Sequence, residues 1–350
     1  MAAVLVEGRD EVTYVGTPEG IEARLVPQAG IEFRSVRARG FDRSKPWMLL
    51  TSTMRIMVSA VRAWSWMGRE RPDVVVGFGG YVCIPVSLAA LARRVPLVLH
   101  EQNSVPGMAN RFLGRWARAV AVTYPESVAR LPRPEVAVVT GNPVRPAVLD
   151  ADREAGRLAL GLGAHDTVLL VFGGSRGARH INEAVVGASE HLMRVEGLRV
   201  VHVTGPAEAE SVRALLAGHP ETEGRWRTYD YLDDMGSALA AADLVVARAG
   251  ATSIAEITAL GAPSLLVPYP YATDDHQTGN AATLVEHGAA AVVADRDIDS
   301  PVFVETLLSL LGDAAGRATM SAASRALGRP DAATHVARVV RGCAHPSIVR

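Results

Sequence analysis

The chain has 350 residues, enough for two domains that each bury a core of their own. Its 36 Lys and Arg residues against 37 Asp and Glu residues leave no global positive field, so the composition argues against a nucleic-acid partner. The two cysteines lie far apart in sequence, which argues against a disulfide framework or a cysteine metal site and indicates a reducing, cytoplasmic setting.

Short β-branched runs alternate with helical stretches along the whole chain, and this alternation predicts an α/β fold of parallel sheets wrapped by helices. Two series of runs indicate two doubly wound domains, residues 1–145 and 146–350, joined near Gly141-Asn142-Pro143. The last helix is a candidate for packing back on the first domain. Ligands of such sheets bind beyond the carboxyl ends of the strands, so we expect the ligand in the cleft between the domains. The predicted strands are 12–15, 31–35, 74–76, 97–99, 120–122, 136–139, 168–172, 200–203, 244–247, 264–267 and 290–293.

The front of the chain lacks an element that this fold requires. Residues 1–7 look like the end of a helix, so the run 12–15 is interpreted as the second strand of its domain. The first strand is usually central in such sheets, and its absence leaves a gap with unpaired backbone groups. We therefore expect that Met1 is not the true start.

The stretch 41–72 mixes aliphatic residues, Met and Trp with Arg and Lys and has almost no acids. This composition is typical of a surface that touches anionic lipid, with an ordinary core helix as the alternative. Residues 47–67 include Arg55 and Arg62, so we predict an amphipathic helix rather than a membrane span.

The stretch 244–257 predicts a buried strand, a break at Arg248-Ala249-Gly250, and a helix that opens with Thr252 and Ser253. A strand that leads into a helix in this way offers free backbone N–H groups and the positive end of a helix dipole to a phosphate. Glu256 lies one turn beyond Ser253 and is predicted to accept hydrogen bonds from ligand hydroxyls. The alternative is a capping box, in which Glu256 satisfies only the Ser253 N–H.

Other strand ends carry polar or glycine-rich segments. Residues 173–178 are glycine-rich but match neither G-x-G-x-x-G nor a P-loop, so neither a dinucleotide nor ATP is favoured. Residues 77–81 are a second glycine-rich strand end, with a structural turn as the alternative. Two such segments on opposite sides of one cleft would suit a nucleotide sugar or its acceptor. The polar run 100–103 is predicted to hold sugar hydroxyls or a reacting group. Arg145 is either a surface charge or a clamp on a diphosphate.

Two acidic segments invite a metal interpretation that we do not favour. Asp233-Asp234 is predicted to be a helix N-cap, and Asp274-Asp275-His276 lacks a third and a fourth ligand at regular spacing. We therefore predict no metal and no cofactor.

Seven short motifs, spread in order over nearly the whole chain, together resemble the MurG family. That family comprises peripheral-membrane transferases that add N-acetylglucosamine to lipid I, the undecaprenyl-linked muramyl-pentapeptide, and so make lipid II for bacterial peptidoglycan synthesis, cell shape and division. The resemblance implies a GT-B fold of two Rossmann-like domains on the cytoplasmic face of the membrane. UDP-N-acetylglucosamine would be bound mainly by the second domain and lipid I by the first. The motifs are Gly79-Gly80-Tyr81-Val82, His100-Glu101-Gln102-Asn103, Gly141-Asn142-Pro143-Val144-Arg145, Gly173-Gly174-Ser175-Arg176-Gly177-Ala178, Leu232-Asp233-Asp234-Met235, Arg248-Ala249-Gly250-Ala251 and Asp275-His276-Gln277.

The resemblance also implies a set of substrate contacts. They are the Leu232 backbone to uracil, Glu256 to the ribose hydroxyls, Ser175 with the turn Ala251-Thr252-Ser253 to the diphosphate, Gln277 to the donor sugar, and Asn103 and Arg145 to the cleft from the first domain.

One family motif is absent from this sequence. The family opens with a strand and a G-G-T-x-G-H-x-x-P loop, whose histidine is a favoured candidate for the catalytic base. Met1 aligns inside the helix that follows that loop, so the missing loop and the missing strand are one defect, and we predict a start codon assigned too late. Within the chain as it stands, Glu101 is the substitute base.

The expected reaction is an inverting, metal-independent displacement. In it the C4 hydroxyl of the muramyl sugar attacks the anomeric carbon of UDP-N-acetylglucosamine and UDP leaves. The alternatives are another GT-B enzyme that uses a UDP-sugar, such as a glycolipid or natural-product transferase or an epimerase, and a truncated, non-catalytic protein that binds a UDP-sugar.

Overall fold

The computed structural model describes residues 1–36, 48–174 and 178–344, with the backbone alone at 48–53 and 55. The predicted site residue Ser175, and residue 47 at the start of the predicted membrane-facing stretch, lie outside the described residues. The chain folds into two compact units. Unit 1 is Met1–Gly141 together with the C-terminal segment from Asp331, and unit 2 is Asn142–Pro330.

The elements alternate as the sequence predicts. Short 3-10 turns at Pro134–Val136, Pro220–Thr222, Thr273–Asp275 and Asp295–Asp297 complete the loops. The strands are β1 (Thr13–Gly16), β2 (Glu32–Ser35), β3 (Val75–Gly77), β4 (Leu97–Glu101), β5 (Ala119–Val122), β6 (Ala137–Val139), β7 (Thr167–Phe172), β8 (Leu198–Val203), β9 (Trp226–Tyr229), β10 (Leu244–Ala247), β11 (Ser264–Leu266) and β12 (Ala291–Val292). The helices are α1 (Ala2–Glu7), α2 (Glu22–Gln28), α3 (Met48–Glu70), α4 (Gly80–Ala92), α5 (Met108–Leu113), α6 (Pro125–Val128), α7 (Pro146–Leu149), α8 (Arg153–Ala159), α9 (Arg179–Gly187), α10 (Ser189–Leu192), α11 (Ala209–Leu216), α12 (Met235–Ala241), α13 (Ala251–Leu260), α14 (His276–Glu286), α15 (Pro301–Gly312), α16 (Ala314–Leu327) and α17 (Ala332–Ala344).

All the strand pairs are parallel, which confirms the predicted fold class. Unit 2 holds one six-stranded sheet in the order β12-β11-β10-β7-β8-β9. Every residue of β4, β5 and β10 is buried, because helices cover both faces of a parallel sheet and its strands are therefore apolar throughout. The sequence analysis missed β9, whose residues Trp-Arg-Thr-Tyr mix polar and aromatic side chains at a sheet edge.

Unit 1 has its strands in two separate sheets. One contains β1 and β2, and the other has the order β3-β4-β5-β6. Among the described residues, neither β1 nor β2 forms a hydrogen-bonded pair with the four-stranded sheet. This separation corresponds to the gap that the sequence analysis expects in the first domain.

The four-stranded sheet of unit 1 is covered on both faces. On one face, α4 packs between α3 and α5. Its residues Val86, Ala89 and Ala90 contact α3. On its other side, Leu113 of α5 belongs to the apolar core under α4. On the other face, α1 and α17 pack on β4 and β5, and Arg341 of α17 forms an ion pair with Asp10 (Nη2 to Oδ2, 2.8 Å). The last helix is therefore part of the core of unit 1.

The close approach of α8 and α12 in unit 2 depends on Gly156. A Cβ atom added there would lie 2.4 Å from the Ser237 carbonyl oxygen, which is backbone of α12. We expect Gly156→Ala to lower the free energy of unfolding by about 1–3 kcal/mol, because the overpacking outweighs the better helix propensity of alanine. Urea denaturation measures the change. The control is Gly187→Ala in α9, where an added Cβ meets nothing within 4 Å and the variant should be as stable as the parent or slightly more so. Equal stability of the two variants would contradict the packing argument.

Candidate functional site

The turn between β10 and α13 has the geometry of an anion site. Gly250 is the N-cap of α13 in an extended conformation (φ −69°, ψ 143°), and no side chain caps the helix. The N–H groups of Ala251, Thr252 and Ser253 therefore begin the helix without intrahelical partners, at the positive end of its dipole. The Nδ2 of the buried Asn280 donates to the Ala249 carbonyl oxygen (3.2 Å), which fixes the backbone of the turn.

The capping-box alternative for Ser253 and Glu256 is wrong. The helix begins at Ala251, so Ser253 is its third residue and Glu256 its sixth, whereas a capping box needs Ser253 at the N-cap. The predicted break at Arg248-Ala249-Gly250 ends at Gly250, and Gly250 is the N-cap residue of α13. The Glu256 carboxylate is therefore available to a partner outside its own helix.

That partner is Arg145. Its Nε and Nη2 donate to Glu256 Oε1 at 3.2 and 3.1 Å, and the Glu256 side chain is 8% exposed while that of Arg145 is 58% exposed. The sequence analysis assigned Arg145 to the first domain, but the structure has it in unit 2, as the N-cap of α7. The physical reason is that α7 packs on α12 and α13, which carries Arg145 with it.

Leu232 lies in the loop between β9 and α12, half-buried. The loop ends at Asp234, which is the N-cap of α12 as predicted and accepts from the Ser237 N–H (3.0 Å) and hydroxyl (2.6 Å). These two hydrogen bonds, followed by the charge of Arg145, hold the pKa of Asp234 below its usual value. The carboxylate thus stays ionised and fixes the loop that carries Leu232.

Gln277 is the second residue of α14. Its Oε1 accepts the Tyr269 N–H at 3.0 Å, so its Nε2 points its two hydrogens away from that contact. Asp274 and Asp275, just before the helix, have left-handed backbone (φ 53° and 51°), which turns the chain sharply into α14. Within the described ranges, no group of three or more His, Cys, Asp or Glu side chains is arranged to hold a metal.

In unit 1, the polar run at the end of β4 is built around Glu101. This carboxylate is 2% exposed. Its Oε1 accepts the Asn103 N–H (3.0 Å), and its Oε2 accepts the Gly107 N–H (3.0 Å) and the Asn110 Nδ2 (2.8 Å). The carboxylate therefore ties the loop 103–107 to the start of α5, and it holds Asn103 through both its backbone N–H and its side-chain Nδ2 (3.4 Å to Oε1).

His100 is also enclosed. Its Nε2 lies 3.2 Å from the Gly141 carbonyl oxygen, and the Phe78 ring packs 5.4 Å from its ring. Burial lowers the pKa of His100 to about 4, so the ring is neutral at pH 7. Its hydrogen bond with a carbonyl and its burial are typical of a structural histidine.

Two glycine-rich strand ends have the backbone that only glycine adopts readily. Gly79 and Gly80 have φ of 79° and 72° at the start of α4, and Gly174 has φ of 88° after β7. The remainder of the second loop, residues 175–177, lies outside the described ranges.

The structure thus brings together Arg145 and Glu256 in unit 2 beside the open start of α13, and Glu101 with Asn103 in unit 1. The sequence analysis quoted Arg248 without giving it a role. Its acidic partner, Asp295, is 47 positions further along the chain, and no local pattern signals that pair.

Comparison with known proteins identifies the chemistry. The models for the N-terminal and C-terminal domains of glycosyltransferase family 28 match residues 1–122 and 168–336. The UDP-N-acetylglucosamine--N-acetylmuramyl-(pentapeptide) pyrophosphoryl-undecaprenol N-acetylglucosamine transferase of Desulforudis audaxviator is 41% identical over 333 residues, which is 94% of this chain and 89% of that protein. The protein of the same name from Desulfitobacterium hafniense is 41% identical over 348 residues, 96% of this chain and 92% of that protein. The crystal structure of Acinetobacter baumannii MurG superposes with a TM-score of 0.76 at 28% identity, covering 97% of this chain and 93% of that one.

The hydrogen bonds of Glu101 lead to a stability prediction. In Glu101→Gln one carboxylate oxygen becomes an NH2 group that faces an N–H donor, so a buried donor loses its acceptor. We expect the free energy of unfolding to fall by about 1–3 kcal/mol in urea denaturation at pH 7. Glu126→Gln, at an exposed site of the same unit, is the control and should change little. A stable Glu101→Gln protein would mean that the carboxylate does not hold the loop.

Proposed function

The chain belongs to the MurG family within glycosyltransferase family 28, and we propose that the site around Glu256 in unit 2 binds the donor of its reaction. The reaction is the transfer of N-acetylglucosamine from UDP-N-acetylglucosamine to N-acetylmuramyl-(pentapeptide) pyrophosphoryl-undecaprenol, lipid I, which gives lipid II for peptidoglycan synthesis. One observation carries the proposal about the site. It is the buried Glu256 carboxylate paired with an exposed arginine beside an uncapped helix start.

Each group around this start suits one part of a nucleotide sugar. The N–H groups of Ala251 to Ser253 and the helix dipole suit the diphosphate, and the Arg145 guanidinium suits its oxygens in a forked contact. Glu256, with only acceptor oxygens, suits the two hydroxyls of the ribose. The Leu232 backbone would meet the uracil, and the Gln277 Nε2 would donate to the sugar. Ser175 is assigned to the diphosphate on the family resemblance alone.

These groups also suit the chemical step. The C4 hydroxyl oxygen of the muramyl sugar forms a bond to the anomeric carbon while the bond from that carbon to the phosphate oxygen breaks. The electron pair leaves with UDP, and the hydroxyl proton passes to a base. Charge grows on the diphosphate as UDP departs, and the α13 dipole and Arg145 stabilise it without requiring a metal.

We assign Glu101 a positioning role instead of the role of base. Four N–H donors already occupy its two oxygens, and it is buried, so an incoming hydroxyl would have to displace one of them. A rigid loop that presents Asn103 to the acceptor fits this geometry better.

The outer face of α3 supports a membrane-surface role. Its inner residues Ala63 and Met67 are buried in unit 1, whereas five apolar residues at helical spacing on the opposite side are 46–69% exposed. Arg93 stacks on one of them, the Trp64 ring, at 3.9 Å. A helix with one exposed apolar stripe and flanking arginines is typical of an interfacial helix on anionic lipid. The stripe consists of Met54, Met57, Val58, Val61 and Trp64.

The helices of the described residues include none that is both long and apolar enough to cross a bilayer. From the α3 stripe and the family resemblance, we propose that the protein is peripheral and lies on the cytoplasmic face of the membrane, with the stripe towards the lipid.

The ribose assignment can be tested with Glu256→Ala. Loss of hydrogen bonds to a charged group should weaken UDP binding about 10- to 100-fold, as measured by calorimetry. The parent should prefer UDP to 2′,3′-dideoxy-UDP, and the variant should bind the two alike. Glu286→Ala, an exposed glutamate at the end of α14, is the control and should keep the parent's preference. A variant that still discriminates between the ligands would contradict the assignment.

The membrane assignment can be tested with Met57→Glu/Val61→Glu. Both side chains are about two-thirds exposed (64% and 65%), so their replacement should leave the fold intact. Burying each in lipid is worth about 1.5–3 kcal/mol, so binding to phosphatidylglycerol vesicles in a sedimentation assay should fall by tenfold or more. Leu158→Glu, on an 82% exposed residue of α8 in unit 2, is the matched control. Equal vesicle binding by both variants would exclude α3 as the contact surface.

A further inference from the structure

Arg248 is a buried cation at the end of β10. Its side chain is 9% exposed and forms an ion pair with Asp295 Oδ1. Its Nη1 also donates to the carbonyl oxygens of Val267 (3.2 Å) and Pro268 (3.3 Å), just beyond β11. The guanidinium carbon lies 5.4 Å from the centre of the Tyr269 ring. Arg248 therefore joins the end of β10 to the backbone that follows β11.

The second oxygen of Asp295 extends this connection to a third segment. Asp295 Oδ2 lies 2.9 Å from His180 Nδ1, and the other ring nitrogen of His180 lies 2.8 Å from Asp299 Oδ2. His180 is the second residue of α9, directly after the glycine-rich loop that follows β7. Asp295 itself begins the 3-10 turn after β12, and its side chain is 14% exposed.

Asp295 thus connects three segments that carry the proposed donor contacts and fixes their relative positions. Arg248 immediately precedes the turn whose N–H groups are assigned to the diphosphate, and Glu256 follows in the second turn of α13. The backbone that Arg248 fixes continues into Tyr269, whose N–H orients Gln277. His180 fixes the first turn of α9 where the glycine-rich loop ends.

We propose that Asp295 is a positioning residue of the donor site, which acts through Arg248 and His180 without touching the donor. This inference rests on the proposed function of the site. Loss of the Asp295 charge would leave the buried Arg248 guanidinium without its carboxylate, and breaking a buried ion pair in this way is strongly destabilising. A displacement of a positioning group by about 1 Å can cost about a hundredfold in rate, so a small relaxation of these segments should be measurable.

The charges of the cluster give the test a pH signature. Burial by itself raises the pKa of Asp295, but hydrogen bonds from His180 and Arg248 outweigh it and lower the pKa, so Asp295 is ionised at neutral pH. The hydrogen bond to Asp299, and then that to Asp295, raise the pKa of His180 against the opposing effect of burial. The other charges nearby are paired elsewhere, Arg179 with Glu208 and Arg296 with Asp297.

The raised pKa means that protonated His180 stabilises the folded protein. This contribution to the free energy of unfolding is fully present below the unfolded histidine pKa of about 6.5, and it is lost as the pH rises through the raised pKa of the folded protein. In the folded protein His180 loses its charge at a pH above about 6.5, which weakens its contact with Asp295, so we expect the donor segments to relax and donor binding to weaken over that pH range.

The experiment measures the Kd of UDP-N-acetylglucosamine by calorimetry with the full chain. We expect Asp295→Asn to weaken binding about tenfold at pH 7. Asp297→Asn makes the same chemical change two residues away, on a side chain that is 47% exposed, and should bind like the parent. Equal affinity of the two variants would overturn the inference.

A second variant covers the outcome in which Asp295→Asn fails to fold. His180→Gln alters a side chain that is 34% exposed and should fold. Between pH 6 and 8.5, the parent and Asp297→Asn should lose donor affinity as the pH rises, whereas His180→Gln should have a flat profile. A His180→Gln profile that follows the parent would also overturn the inference.

The Glu256→Ala variant separates this inference from the proposed function. If Glu256→Ala loses discrimination for the ribose and Asp295→Asn binds normally, only the positioning role of Asp295 is wrong. If both variants bind like the parent, the donor site itself is misassigned and both proposals fail.

Discussion

A carboxylate buried at the carboxyl edge of a parallel sheet must receive hydrogen bonds or a countercharge, because an ion left unpaired away from water is very costly. Each unit has such carboxylates, and their partners define the loops around them. Glu101 is satisfied by amides of its own loop, Asp295 by a buried arginine and a histidine, and Glu256 by an arginine that is largely exposed. The first two arrangements fix the backbone, whereas in the third the arginine stays accessible to solvent, as the proposed donor site requires.

Helix α3 meets a different constraint, since it carries apolar side chains on two opposite faces. Its inner side chains contribute to the core of unit 1, where small residues let α4 approach closely. Its outer stripe leaves five apolar side chains in contact with water, an arrangement that a soluble monomer seldom keeps unless another surface covers it. The helix therefore stabilises the fold on one side and is suited to bind lipid on the other.

The parts of this structure that depend on local pattern could be predicted from the sequence. Apolar runs predicted the buried strands, the break at Gly250 predicted where the strand ends and the helix begins, and Asp234 was recognised as an N-cap. The edge strand β9 was missed because it lacks an apolar run. The contacts of Arg248 and His180 were missed for another reason. They join segments 47 and 115 positions apart, and only the order of strands in the sheet brings such segments together.

The pairing of Arg145 with Glu256 has a consequence for selectivity. The two charges neutralise each other in this pair, so the site does not present a bare cation to passing anions. A free phosphate that bound Arg145 would leave the buried Glu256 carboxylate without a partner, which costs about 1–3 kcal/mol or more for a charged group. A polyol without phosphate would likewise have to compete with the arginine for Glu256. A molecule that brings an anion and a pair of hydroxyls at the right separation would replace both halves of the pair at once, so under the proposed assignment we expect the pair to favour intact nucleotides over their fragments.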